Sequence, residues 1–208
     1  PYKDGWGSYP SLEIGGAYQH QIKEKKEEMN TLPVLCATLS LLCSGVFNWD
    51  FEYTNRQEFI RGIKDCAVAY NSHLQDFRRV PLELTLVQAL HESGADGNSR
   101  FAKEGNNFFG IKALDDEEYM LSLDNSGAKV RIFTRKCDSV IAYTDLLNES
   151  YHYEDFRNER LRQYIVDEVD IEKLIETLSV YAEDKKYIFK LKDMAYTLRK
   201  EGIIENGK

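Results

Sequence analysis

The stretch LVQALHESGADGNSRFAKEGNNFFGIKA, residues 86–113, closes an apolar helical pattern on a single acid, Glu92, and then turns to small, polar and aromatic residues. Gly94 supplies a left-handed stop, which predicts Glu92 in the last turn of a helix. That end of a helix carries partial negative charge, and apolar neighbours disfavour ionisation further, so both effects raise a carboxyl pKa. A carboxyl tuned in this way suits a general acid working near neutral pH. The plain alternative is an exposed polar residue near a helix end. The loop beyond the helix favours chemistry: in GNNFFGIKA, 105–113, Gly105 and Gly110 allow tight backbone, while Asn106 and Asn107 can hydrogen-bond backbone groups or sugar hydroxyls. At least one of Phe108 and Phe109 is expected in the core.

Other chemistries find little support. His91 and Glu92 form an HE pair, but Ala95 stands where a zinc-protease helix needs its second histidine. The four histidines, at 20, 73, 91 and 152, offer no nucleophile elbow and no Cys/His signature, and His91 reads as a packing residue. The four cysteines, at 36, 43, 66 and 137, form no CxxC pair and no zinc-like cluster with histidine. They read as buried free thiols, with a disulfide open to a protein working outside the cytosol. No glycine-rich phosphate loop occurs, so neither a metal nor a cofactor is expected.

The elements that must position Glu92 are mainly helical. Asn55 can cap a helix whose apolar face is Ile60, Ile63, Ala67, Tyr70, Leu74 and Phe77. Pro81 suits the first turn of the next, whose Leu82, Val87, Ala89 and Leu90 are apolar nearly all round, as in a helix sheathed by others. DDEEYMLSLDNSGAKVRIF, 115–133, alternates apolar and polar residues on both sides of DNSG, which predicts a β-hairpin. Asp138 or Ser139 can start a further helix through Leu146 and Leu147. IEKLIETLSVYA, 171–182, and YIFKLKDMAYTL, 187–198, complete the set. Tyr151, Tyr153 and Phe156 read as core or rim packing, with an extension of a sugar cleft as the alternative.

QALHESGADGNSRFAKEGNNFFGIKA, 88–113, resembles the glutamate motif of the bacterial glucosaminidases of glycoside hydrolase family 73, in their Bax-like branch. VRIFTRKCDSVIAYTDLLNESYHYEDFRNERL, 130–161, and YAEDKKYIFKL, 181–191, are similar to the same branch and follow in the same order, so the resemblance spans roughly 55–200. It implies a mainly helical lysozyme-like fold with a small hairpin beside the cleft, and cleavage of the β-1,4 N-acetylglucosaminyl bond of peptidoglycan. By the same resemblance Glu92 matches the general acid, Asn106, Asn107, Phe109 and Gly110 match a substrate-binding loop that shapes the cleft floor, and Tyr181 matches a cleft-lining tyrosine. The family places its second acid on the hairpin. Glu118 is the first choice for that role, then Glu117, then Asp124. One departure stands out, because Ala95, Asp96 and Gly97 replace the Trp-Gly that usually follows the ESG, which removes an aromatic from a sugar-stacking position.

Length and charge agree with this reading. At 208 residues the chain has room for one substantial core plus an extension, and its composition is that of an ordinary globular protein. The net charge of −8 disfavours nucleic acid and anionic membrane surfaces as partners. LPVLCATLSLLCSGVF, 32–47, falls short of the roughly 20 residues of a spanning helix and follows KEKKEE, which mixes both signs; it reads as a buried helix, with an export or anchoring segment as the alternative. Residues 1–20 lack any helical or strand period and read as an arm able to dock on another protein. The expected division is therefore an N-terminal arm with its apolar segment over 1–50 and a lysozyme-like domain over 51–208. Peptidoglycan is the implied partner and the cell envelope, periplasm or wall, the implied location, with a phage virion component or phage lysin as the alternative. A lytic transglycosylase, which can work with one glutamate, and a non-catalytic wall-binding or virion module of the same fold are the competing functions.

Overall fold

A computed structural model describes residues 48–123 and 127–204. The arm of 1–20, the apolar segment 32–47, Cys36, Cys43 and Asp124 lie outside the described residues. Among the described residues no helix is long and apolar enough to cross a membrane.

Helix α1 spans Arg56–Asn71, and Asn55 caps it by accepting the Glu58 N–H at 3.0 Å. The Glu58 carboxylate in turn accepts the Thr54 N–H at 2.7 Å, so two otherwise orphaned donors are satisfied at one helix end. The helix stops six residues short of Phe77. Asn71 turns its amide to the Val80 carbonyl at 2.9 Å and gives its own carbonyl to Arg79 Nε at 3.0 Å, so the chain folds back instead of adding a turn. Phe77 instead sits in a 3-10 turn, Asp76–Arg78, against Tyr164. Gly62 is required within α1 because the Phe51 ring occupies the space its Cβ would fill, 2.1 Å away.

Helix α2, Leu82–Glu92, begins directly after Pro81 and is the centre of the fold. Every residue from Leu84 to Leu90 is buried, because α1, α6 and α7 sheathe it. Helix α3 is Arg100–Gly105, capped by the Ser99 hydroxyl and ended by Asn106 in the left-handed region at φ 49°. The hairpin pairs β1, Tyr119–Leu121, with β2, Lys129–Arg131, antiparallel, with Met120 opposite Val130. The preceding loop joins on the other edge of β2: Arg131 N–H donates to the Ile111 carbonyl at 2.9 Å and Ala113 N–H to that of Lys129 at 3.0 Å.

Helix α4, Lys136–Glu149, starts before the expected Asp138 or Ser139. Asp138 lies inside its first turn and reaches back to accept the Arg135 N–H, forming a capping box. Helices α5, Glu154–Val166, α6, Ile171–Glu176, and α7, Tyr187–Lys200, follow. Helix α6 is shorter than the apolar pattern over 171–182 implied. At its end the Thr177 hydroxyl donates to the Leu174 carbonyl at 2.7 Å, and tight i to i−3 bonds carry the chain from Leu178 to Tyr181 while still burying Leu178.

Cys66 and Cys137 are not free thiols. They form a disulfide that ties α1 to the first turn of α4, with Cα atoms 5.3 Å apart and both side chains buried. The two cysteines are 71 positions apart, so nothing local in the chain announces the pair. The result is a mainly helical domain with one small hairpin, the architecture expected from the sequence.

Candidate active site

Glu92 is the last residue of α2, with Ser93 as the cap and Gly94 at φ 85° turning the chain away. The reversal is secured by Ala95 N–H donating to the Leu90 carbonyl at 2.6 Å and by the Ser93 hydroxyl donating to that of Ala89. Ala95 holds φ 67° without being glycine. The Ala-Asp-Gly that replaces an aromatic here is thus spent on the turn, and the Tyr53 hydroxyl fixes it by donating to the Gly97 carbonyl at 2.7 Å.

The carboxyl of Glu92 faces inward. Its Oε1 is buried with no hydrogen-bond partner among the described residues. Burial pushes its pKa up, and the Tyr187 hydroxyl beside it opposes that shift by hydrogen bonding. Four tyrosines from four parts of the chain feel its charge: Tyr143 of α4, Tyr153 of the turn before α5, Tyr181 after α6 and Tyr187 of α7. Burial is the first cause of the raised pKa of each, and Tyr153 is pushed to about 12. All four therefore stay protonated near neutral pH and surround the acid with hydroxyl dipoles. His91, half-buried with its ring edge-on to Tyr187 at 5.5 Å, is also disfavoured from charging by burial.

Gly110 lies on the open side of the acid. At φ 64° it favours glycine, and a Cβ there would come 3.5 Å from Glu92 Oε2. Next to it, Ile111 begins a groove of roughly 790 Å³ between the hairpin, at Glu117 and Arg131, and the outer face of α4, at Ala142 and Leu146.

The loop residues expected to touch substrate fall into two groups. Asn107 is buried and fully committed: its amide donates to the carbonyls of Ile111 at 2.9 Å and Arg131 at 2.8 Å, while its oxygen accepts the Ile111 N–H at 3.0 Å. Phe109 is fully buried and stacks on Tyr143 with centroids 4.2 Å apart. Both are buried in this structure and brace the loop from within. The reason is that a loop pinned between two lobes must satisfy its own backbone first. Asn106 donates to the Phe133 carbonyl at 2.9 Å, anchoring the hairpin's far end. Tyr181 is partly exposed, donates to the Phe109 carbonyl at 2.7 Å and lies parallel to the Tyr187 ring.

The hairpin acids differ in the same way. Glu117 is tied down, 2.9 Å from Arg131 and accepting the Leu114 N–H at 2.9 Å. Glu118 is exposed, with its backbone carbonyl accepting the Ile132 N–H. Two residues of the site, Gln88 and Tyr187, are not singled out by sequence reasoning. A polar Gln88 four positions before Glu92, on an otherwise apolar helix, is the signal that could have found the first.

Comparison with known proteins identifies the family and the fold. A family model described as Glucosaminidase, mannosyl-glycoprotein endo-β-N-acetylglucosaminidase, matches residues 67–200. A peptidoglycan hydrolase from Sphingomonas sp. A1 shares the fold at TM-score 0.55 and 20% identity, over 73% of this chain and 97% of that one. The catalytic domain of the autolysin Auto from Listeria monocytogenes aligns at TM-score 0.51 and 19% identity, over 92% and 96%. The glycoside hydrolase domain of Salmonella typhimurium FlgJ aligns at 0.50 and 21%, over 72% and 92%. No curated protein matches the chain. With more than half of its length matched by that one model, the chain belongs to the glucosaminidase family and is a glycoside hydrolase of the endo-β-N-acetylglucosaminidase class.

Proposed function

We propose that the chain hydrolyses the β-1,4 N-acetylglucosaminyl bond of peptidoglycan glycan strands, with Glu92 as general acid and Glu118 as the second carboxylate. The observation that carries the first assignment is the Glu92 carboxyl itself, partly buried at a helix C-terminus, with one oxygen unpartnered and its pKa raised. Such an acid holds its proton to higher pH than an ordinary carboxyl and can deliver it to a glycosidic oxygen. The choice of Glu118 rests on its freedom. Glu117 is engaged by Arg131, whereas Glu118 stands in solvent, where a carboxylate can orient water or support the oxocarbenium-like transition state.

The substrate class is supported by the similar structures, which are peptidoglycan hydrolases, an autolysin domain and a glycoside hydrolase domain. The three ordered sequence blocks support membership of the Bax-like branch. A buried disulfide suits an oxidising compartment, which favours work at the cell envelope, or as a phage virion component, over work in the cytosol. In this reading the catalytic domain covers about 51–208, and the arm before it docks on another protein.

Mass spectrometry of digested peptidoglycan tests the reaction. Fragments ending in reducing N-acetylglucosamine are expected. Fragments ending in anhydro-muramic acid would make the protein a lytic transglycosylase instead, and a correctly folded protein that binds glycan and releases nothing would overturn the proposal.

A further inference from the structure

A buried polar chain runs behind the acid. The Tyr143 hydroxyl, fully buried, donates to Gln88 Oε1, and Gln88 Nε2 donates to the Tyr187 oxygen at 2.8 Å. Gln88 is itself fully buried, one turn before Glu92 on the same helix, among leucines, valine and alanine. A buried amide is costly unless both its ends are used, and here both are. Its consequence falls on Tyr187. A phenolic oxygen that already accepts from Gln88 has its own proton left to give, and the group beside it is the Glu92 carboxyl.

We propose that Gln88 is a positioning residue for the catalytic acid: held by Tyr143, it fixes the Tyr187 hydroxyl so that its proton faces Glu92. The proposal rests on Glu92 being the general acid. As Glu92 gives its proton to the leaving oxygen it becomes a carboxylate in a poorly solvated place, and a hydroxyl already aimed at it stabilises that charge without reorganisation. The groups facing Glu92 from the packed elements are tyrosines, namely Tyr143, Tyr153, Tyr181 and Tyr187, with His91 alongside held neutral by burial. No cation is among them. Of these, the Tyr187 hydroxyl is the one that opposes the raised pKa of Glu92.

Tyr187→Phe keeps the ring against Tyr181 and removes only the hydroxyl, whereas Gln88→Leu removes the amide that orients it. Both variants, and the double variant, are compared with wild type by kcat, KM and pH profile on soluble glycan fragments, and by a carbon-13 NMR titration of the Glu92 carboxyl. With its donor lost, the carboxylate is less stable, so the titration midpoint and the alkaline limb of kcat both move to higher pH. Tyr187→Phe is expected to lower kcat about fivefold at unchanged KM, the scale of one hydrogen bond, and Gln88→Leu by less. The double variant should match Tyr187→Phe alone, because Gln88 acts through Tyr187. An unmoved Glu92 titration in a folded Tyr187→Phe, or losses that simply add, would overturn the inference. The NMR titration reads Glu92 whether or not it is the acid, so failure of the catalytic assignment, seen as an active Glu92→Gln, is a separate result.

Discussion

The two acidic regions of this molecule are built on opposite terms. Glu92 ends the most buried helix of the fold, and its carboxyl is enclosed by residues from α4, the turn before α5, the stretch after α6, and α7. Glu117 and Glu118 lie just ahead of β1, at the entry to a two-stranded ribbon that leaves Tyr119 and Leu121 exposed and is held to the body by backbone bonds and the amides of Asn106 and Asn107. The difference shows what each role requires of the chain. Retaining a proton needs low dielectric, and only a large core surrounds a carboxyl with enough apolar and aromatic matter to supply it. Meeting water needs the reverse, a thin element reaching into solvent, and a hairpin propped by two asparagines is enough.

The largest expected effect belongs to the buried end. Glu92→Gln should fold normally and lose at least about a hundredfold in turnover, the scale of a lost general acid, measured as kcat on soluble glycan fragments. Near-normal turnover would show that enclosure at this site serves something other than acid catalysis. On the hairpin, Glu118→Gln should lower turnover by about tenfold with glycan binding preserved, in the low range for one acid/base group. Glu117→Gln should act mainly on hairpin integrity, since its carboxylate already serves Arg131 and the Leu114 N–H. A larger loss of kcat in Glu117→Gln than in Glu118→Gln, with melting temperature unchanged, would exchange the two roles.

The smallest effect concerns stability. Burial raises the folded pKa of Glu92 above its ordinary value near 4.5, so the native state binds a proton that the unfolded chain has released. Stability from this group is therefore complete below the unfolded pKa and is lost as pH rises through the folded one. Glu92→Gln removes that dependence. Thermal melts should put the variant a few degrees above wild type near neutral pH, with the gap closing as pH falls toward 4.5. A variant that melts below wild type at neutral pH would mean that the ionised carboxylate stabilises the fold.

The chain itself determined whatever depends on neighbours within about one helical turn. Asn55 caps α1, Pro81 precedes α2, Gly94 takes the left-handed stop that leaves Glu92 at a helix end, and strands flank DNSG, because caps, turns and alternation are decided by adjacent side chains and backbone angles. Tertiary structure decided the rest. The carbonyl of Val80 helped to end α1 at Asn71, and packing against the core buried Phe109 and Asn107, which the family resemblance offered to a ligand. Cys66 found Cys137 across 71 positions, and Gln88 found Tyr187 across 99. Such pairings follow from closing the whole chain around α2, and so does the raised pKa of Glu92, because desolvation is a property of everything packed around a group and not of the residues beside it in sequence.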